Sequence, residues 1–135
     1  MTEDKEKPAP KLTKPDSNLL PQSDIDDEFY RRFVEIVESE LGNSDLTVEE
    51  LGAKIGLSRV QLYRKIKALT NYSPTELLKI IRLRKAERML KSTRLTISEV
   101  CYAVGFSSPS YFTKCYREQF DESPSDTQQR TSRMK

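Results

Sequence analysis

The residues with the clearest capacity for recognition chemistry lie just after Ser58, in a stretch that carries arginine, glutamine and tyrosine side chains. An arginine guanidinium can donate two hydrogen bonds to a guanine, and a glutamine amide can pair with an adenine. Arg64 and Gln61 are therefore the most informative side chains for reading a base pair. The sequence has no histidine, no glycine-rich phosphate loop and no nucleophile paired with a base, so it predicts no enzyme, metal site or cofactor.

These side chains need a helix that exposes them, and the local sequence predicts one. Ser58 with Gln61 forms a capping box, so a helix should run from here to about Thr70. Leu62 and Ile66 would face the core. The positions left on the outside are Arg59, Val60, Gln61, Tyr63, Arg64 and Lys67.

A shorter helix precedes this one. Thr47 with Glu50 forms another capping box, and Gly56 ends the helix that the box begins. Two short helices joined by a glycine-containing turn are typical of a helix-turn-helix unit. In such a unit the second helix lies in the major groove of DNA, with its N-terminal half toward the bases.

The same pattern returns about fifty residues later. Thr96 with Glu99 repeats the first capping box, Gly105 repeats the turn glycine, and Ser108 repeats the cap at Ser58. A repeat found through caps, glycines and apolar positions together predicts a second helix-turn-helix unit. Its second helix should expose few bidentate groups, so we expect it to read phosphates and DNA shape more than bases. The exposed positions are Pro109, Ser110, Thr113, Lys114 and Arg117.

One longer helix, from Ser73 to Lys91, should join the two units. Ser73, followed by Pro74 and by Glu76, gives this helix a capping box with proline at the first helical position. Its apolar residues form two stripes on roughly opposite sides, so the helix should contact a different core at each end. Nineteen residues at about 1.5 Å each span roughly 28 Å, which is close to the roughly 34 Å between successive major-groove faces of DNA.

The polar positions of this helix hold mostly cations. Six bases lie against two acids, and we interpret them as a surface that faces a polyanion rather than as solvated salt bridges. The wider charge pattern agrees, because residues 51–91 carry eleven bases and two acids, whereas residues 1–50 carry fourteen acids and six bases. The six bases are Lys79, Arg82, Arg84, Lys85, Arg88 and Lys91.

The remaining sequence completes an all-α domain of about seven helices. Residues 1–24 hold four of the seven prolines and show no apolar period, so we expect a disordered linker there. A first helix should run from Asp26 to Leu41 and end at Gly42. Cys101 and Cys115 lie in apolar helical patterns and should be buried thiols. No apolar stretch reaches the roughly 20 residues of a membrane span and no export signal is evident, so we expect a bacterial cytoplasmic location without membrane contact.

Over residues 28–128 the sequence resembles the AraC/XylS-type transcription regulators. The resemblance is carried by the two helix-turn-helix units, by the motif Arg82-Leu83-x-x-Ala86-x-x-Met89-Leu90, by Gly105-Phe106 and by Ser110-Tyr111-Phe112. It implies a DNA-binding domain at 25–130. Its parts would be helix-turn-helix units at 46–72 and 95–121, a linker helix at 73–91, and a final short helix at 123–130 that frays from about Gln129.

The resemblance also implies which side chains would contact double-stranded DNA. By the resemblance, base contacts would come from Val60, Gln61, Tyr63, Arg64, Pro109, Ser110, Thr113 and Lys114. To these we add Arg59 as a further base contact, and we predict DNA backbone contacts at Ser58, Lys67, Arg82, Arg84, Ser108 and Arg117. The sequence departs from the family at three positions, since the family often has glycine in place of Asn71 and Asp121 and an aromatic residue in place of Thr127.

Within the family, the run from Ser58 to Ala86 is most similar to the output domains of hybrid two-component regulators. In those proteins a sensor kinase, a receiver and a DNA-binding domain share one chain, so an upstream receiver or ligand-binding domain and RNA polymerase are candidate partners. One alternative from another class stays open, which is a basic helical protein-docking module. Binding to any duplex that falls steeply with salt would favour DNA over that module.

Overall fold

The computed structural model describes residues 24–92 and 94–133, so residues 1–23 of the predicted linker lie outside the described residues. Seven α-helices and no strand occur in this part of the chain. Their bounds are α1 Asp24–Ser39, α2 Val48–Ile55, α3 Arg59–Thr70, α4 Pro74–Ser92, α5 Ile97–Ala103, α6 Pro109–Phe120 and α7 Pro124–Arg133. The predicted all-α class with about seven helices is confirmed.

Helix pairs α2–α3 and α5–α6 are two copies of one unit. In the first copy, Thr47 Oγ1 accepts from the Glu50 N–H at 3.1 Å, and Glu50 Oε1 accepts from the Thr47 N–H at 3.0 Å. In the second copy, Thr96 and Glu99 make the same two hydrogen bonds at 3.1 and 2.8 Å. Helices α3 and α6 both have 12 residues and begin fifty residues apart. The sequence repeat is therefore a structural repeat.

Both turns depend on a glycine in the left-handed region. Gly56 has φ 87° and Gly105 has φ 92°, a conformation that residues with a Cβ rarely adopt. The residue after each glycine then bonds back to the helix, Leu57 N–H to Gly52 O at 2.8 Å and Phe106 N–H to Cys101 O at 3.0 Å. These bonds satisfy carbonyl groups that a helix end leaves without partners.

Helix α4 lies between the two units and is apolar on more than one side, as predicted. It contacts α1, α3, α5, α6 and α7. Its buried residues are Pro74, Leu77, Ile80, Ile81, Arg82, Leu83, Ala86 and Leu90. The predicted separate cores form one hydrophobic cluster, but its two ends differ in kind. The first uses aliphatic Leu51, Leu62 and Ile66, whereas rings run from Phe106 through Phe112 and Tyr116 to Phe120 in the second, at centroid distances of 5.2, 5.9 and 4.6 Å.

Two predicted helix ends were wrong. Helix α1 ends at Ser39 rather than Leu41, and Gly42 is not in the left-handed region. The Leu41 carbonyl instead accepts a hydrogen bond from Arg82. Helix α7 continues to Arg133 and does not fray from Gln129. Tertiary bonds hold α7, because Gln128 Nε2 donates to Leu95 O at 2.7 Å and the buried Tyr116 hydroxyl donates to Thr127 Oγ1 at 2.7 Å.

Candidate nucleic-acid interface

Helix α3 presents the side chains that the sequence predicted for it. Leu62 and Ile66 are fully buried, and every predicted outward position is exposed. Val60 and Tyr63 are 57% and 47% exposed, which is unusual for large apolar and aromatic side chains of a small domain. The surface therefore offers an apolar contact and an aromatic ring beside its polar groups.

Several polar groups of α3 already have partners within the domain. Arg59 makes an ion pair with Glu49 on α2. Gln61 Oε1 accepts from the Ser58 N–H at 2.9 Å as part of the capping box. Lys67 Nζ donates to Asn71 O at 3.1 Å, at the C-terminal end of the helix. These contacts leave the amide NH₂ of Gln61 available to an adenine.

Arg64 differs from its neighbours on α3. It is exposed, and among residues 24–92 and 94–133 it makes no hydrogen bond or ion pair. A guanidinium in this state can turn toward a base edge without breaking an internal bond. Arg64 is therefore the side chain of α3 that is best prepared for bidentate contact.

Helix α6 exposes the equivalent surface with weaker base-reading chemistry. Ser108 caps the helix by accepting from the Tyr111 N–H at 3.2 Å. Lys114 forms an ion pair with Glu118 at 3.6 Å. Of the remaining predicted residues, Ser110 and Arg117 are exposed, whereas Pro109 and Thr113 are half-buried.

Sequence reasoning missed two residues at these surfaces. Tyr111 is 49% exposed and lies 6.0 Å, centroid to centroid, from Phe106. It occupies the position equivalent to Gln61, so the fifty-residue spacing could have identified it. Glu49 was missed as the partner of Arg59. This ion pair holds the pKa of the Glu49 carboxyl below its ordinary value, so the carboxylate is charged at neutral pH and competes for Arg59.

The prediction that Arg82 contacts the DNA backbone was wrong. Its side chain is only 6% exposed, and its guanidinium donates to three carbonyl groups, those of Leu41 at 2.6 Å, Val104 at 2.6 Å and Asn43 at 2.9 Å. Burial lowers the Arg82 pKa. Helical periodicity assigned this residue to a polar face, whereas its partners come from distant segments that close over it.

The other cations of α4 are also less available than the sequence indicated. Arg88 pairs with Glu38 at 3.6 Å and Lys91 pairs with Glu87 at 3.4 Å. Arg84, Lys79 and Lys85 are half-buried. Two of the six cations thus have an ion-pair partner within the domain, and Arg82 is buried. That α4 faces a polyanion remains a prediction.

The described residues contain no group of three or more histidine, cysteine, aspartate or glutamate side chains arranged to hold a metal ion. Cys101 and Cys115 are free and buried, as predicted. None of the helices from α1 to α7 combines the length and apolar character that crossing a membrane requires.

The repeated unit and its linker helix define a helix-turn-helix protein, and comparison with known families agrees. A family model described as a helix-turn-helix domain matches residues 51–130. The chain belongs to the AraC-type family of DNA-binding domains, which is a non-enzymatic family of transcription regulators.

The proteins similar to this chain include a histidine kinase, a response regulator and a DNA-binding domain solved in complex with DNA. It is 40% identical over 110 residues, or 82% of the chain, to histidine kinase P4 of Formosa agariphila, of which it spans 8%. The C-terminal domain of AraT, a response regulator from Geobacillus stearothermophilus, is 31% identical with a TM-score of 0.68, and the match covers 76% of this chain and 84% of that one. The DNA-binding domain of AdpA in complex with a target DNA is 26% identical with a TM-score of 0.71, with 78% and 94% covered. The chain spans well under half the length of the curated relatives that it matches.

Proposed function

We propose that this domain binds double-stranded DNA in a sequence-specific way and that α3 and α6 enter successive major-groove segments. The observation that carries the proposal is the structural repeat. Two 12-residue helices, each capped by a serine and each buried along one edge, present their other edge to solvent; both contact the linker helix, one preceding it and one following it in the chain. The 19 residues of α4 extend over roughly 28 Å, which suits groove segments about 34 Å apart.

In this proposal, α3 makes more of the base-specific contacts than α6. Arg64 and Gln61 provide hydrogen-bond readout from α3, with Val60 and Tyr63 in apolar contact with base edges. Arg59 joins them once a phosphate or base displaces Glu49. Ser110, Thr113 and Lys114 of α6, with Pro109, read shape and fewer base edges. Ser58, Lys67, Arg84, Ser108 and Arg117 contact the DNA backbone and set the register.

We further propose that the domain is the output module of a bacterial two-component regulator. The similarity to histidine kinase P4 and to the C-terminal domain of a response regulator supports this role. An upstream receiver or ligand-binding domain would then control it in the cytoplasm, and RNA polymerase would be a partner at the promoter. Truncation tests this: the full-length protein should change its DNA occupancy on phosphorylation, while the isolated domain should not.

The direct test is selection of bound fragments from a genomic library, followed by affinity measurements over a salt series. Sequence-specific binding predicts one enriched motif with two half-sites and an affinity that falls steeply as salt rises. Absence of duplex binding even at low salt would favour the protein-docking module instead.

Arg64→Ala then tests the residue-level assignment. It should cost about 1–3 kcal/mol of binding free energy and relax the preference at one base position. Arg32→Ala removes an exposed cation from α1, outside the proposed interface, and is the charge-matched control. An equal loss on all sequences would make Arg64 a phosphate contact and would overturn its role in base readout.

A further inference from the structure

Arg82 is a cation in the interior, and it forms no ion pair with a carboxylate of residues 24–92 or 94–133. Its Nη1 donates to Leu41 O and to Val104 O, both at 2.6 Å, and its Nη2 donates to Asn43 O at 2.9 Å. Leu41 and Asn43 lie just after the C-terminal end of α1, and Val104 is the C-cap of α5. Carbonyl groups at helix C-termini carry partial negative charge. The guanidinium is therefore satisfied by two carbonyl groups of the loop after α1 and by the C-cap carbonyl of α5.

The three carbonyl groups belong to opposite halves of the domain. The loop at 41–43 leads into the first helix-turn-helix unit, whereas Val104 and Gly105 form the turn of the second. Arg82 itself lies near the middle of α4, which connects the two units. One side chain thus bonds the loop that leads into the first unit and the turn of the second unit, at the place where this loop and this turn approach each other.

Gly105 shows how closely this joint is packed. A methyl group built at Gly105 would lie 1.3 Å from Arg82 Nη1 and 2.3 Å from Leu41 O, and the residue has φ +92°. On the other side, a methyl group at Gly42 would lie 3.7 Å from Ala103 O. The guanidinium fills the gap between the loop and the turn, so movement of one unit against the other would break its hydrogen bonds.

We propose that Arg82 is a positioning residue that fixes the separation and angle of the two helix-turn-helix units by joining the loop at 41–43 to the turn at Val104–Gly105. Its consequence for recognition rests on the proposed DNA-binding function. Two binding modules on a rigid connector gain affinity only when the spacing of their sites matches the connector. Arg82 therefore determines which half-site spacing the domain accepts, although it touches no DNA.

The first test needs no DNA. Spin labels attached through Ala68→Cys in α3 and Ser107→Cys in the second turn report the distance between the units by pulsed electron paramagnetic resonance. Both positions are exposed, and the native thiols are buried. We expect one narrow distance distribution in the parent protein and a distribution about twofold wider or more with Arg82→Met. A broad distribution with Arg82 intact would overturn the proposal, whatever the variants do.

The second test uses duplexes recovered by selection from a random-sequence library, each then lengthened by one or two base pairs between its half-sites. The parent protein should lose about tenfold or more in affinity, because each added pair rotates one site by about a tenth of a turn. Arg82→Lys keeps the charge but cannot reach all three carbonyl groups. When the spacing between the half-sites is lengthened, the affinity of this variant should therefore fall by about threefold or less. The affinity of Arg82→Lys for a duplex with a single half-site should equal that of the parent protein.

Phe33→Leu is the control for destabilisation, since Phe33 is buried in α1 and lies two helical turns before the loop at 41–43. It should lower stability and leave the spacing preference of the parent protein intact. An Arg82→Lys protein with the parent spacing preference would make Arg82 a stabilising residue only. If the parent protein binds no duplex at all, the proposed function fails, whereas the distance measurement still decides the role of Arg82.

Discussion

Replacing Thr127 with valine should destabilise the domain well beyond the effect of a surface substitution. Thr127 is fully buried, its Oγ1 accepts from the Tyr116 hydroxyl at 2.7 Å, and its own hydroxyl donates to Glu122. Valine preserves the shape but leaves the buried Tyr116 hydroxyl without an acceptor. An unsatisfied buried polar group costs about 1–3 kcal/mol, so the free energy of unfolding should fall by about that amount and Tm by several degrees.

The Tyr116–Thr127 bond can be separated from the packing around it by a double-mutant cycle. Tyr116→Phe removes the donor, and in the Thr127→Val background it also removes the unsatisfied group, so the second change should cost less there than in the parent protein. Urea unfolding of all four proteins gives the coupling free energy, which should be about 1 kcal/mol or more in favour of the pair. Additive effects would refute the reasoning, because they would mean that the hydroxyl groups do not depend on each other in the folded state.

Three further predictions concern the charged and left-handed positions. Glu49→Gln releases Arg59 and should raise affinity for all duplexes and steepen the salt dependence by about one phosphate equivalent; unchanged salt dependence in binding titrations would contradict this. Arg130 and Thr127 lower the Glu122 pKa, so this carboxylate adds stability above its ordinary pKa and loses that effect as pH falls through the folded value. Thermal unfolding of Glu122→Gln should therefore show a lower Tm than the parent protein near neutral pH, and this difference should shrink as pH falls below the ordinary pKa of a glutamate. Asn71 and Asp121 have φ 66° and 62°; glycine adopts this conformation without strain, so Asn71→Gly should raise stability by up to about 1 kcal/mol in urea unfolding.

The sequence was most informative where structure depends on neighbours along the chain. Capping boxes join residues three apart, and turn glycines act at their own position, so Thr47, Ser58 and Thr96 identified their helix starts correctly. Because the pattern repeats after about fifty residues, the prediction of each helix-turn-helix unit supported the prediction of the other. Fold class and the exposed edges of α3 and α6 followed from such local signals together with apolar spacing.

The sequence was least informative where a polar residue has partners far along the chain. Arg82 takes its acceptors from 39 to 41 residues before it and 22 residues after it, and periodicity alone counts an arginine as exposed. Thr127 presents the same difficulty, since only tertiary structure reveals that its hydroxyl joins Tyr116 to Glu122. In both cases a polar side chain became part of the interior because other segments supplied its hydrogen bonds.

The exposed surface of α3 also shows why exposure alone does not define a recognition residue. Arg59 and Lys114 each face an acid of their own unit, and a phosphate must displace that acid before either cation can bind it. Replacing the acid by a phosphate lowers the binding free energy that the cation contributes with any duplex. In the proposed complex, these acids therefore weaken sequence-independent binding more than binding that also uses base edges. Arg64 meets no such competitor among the described residues. In the proposed complex with DNA, these acids would therefore increase the share of binding that depends on Arg64, and hence the specificity.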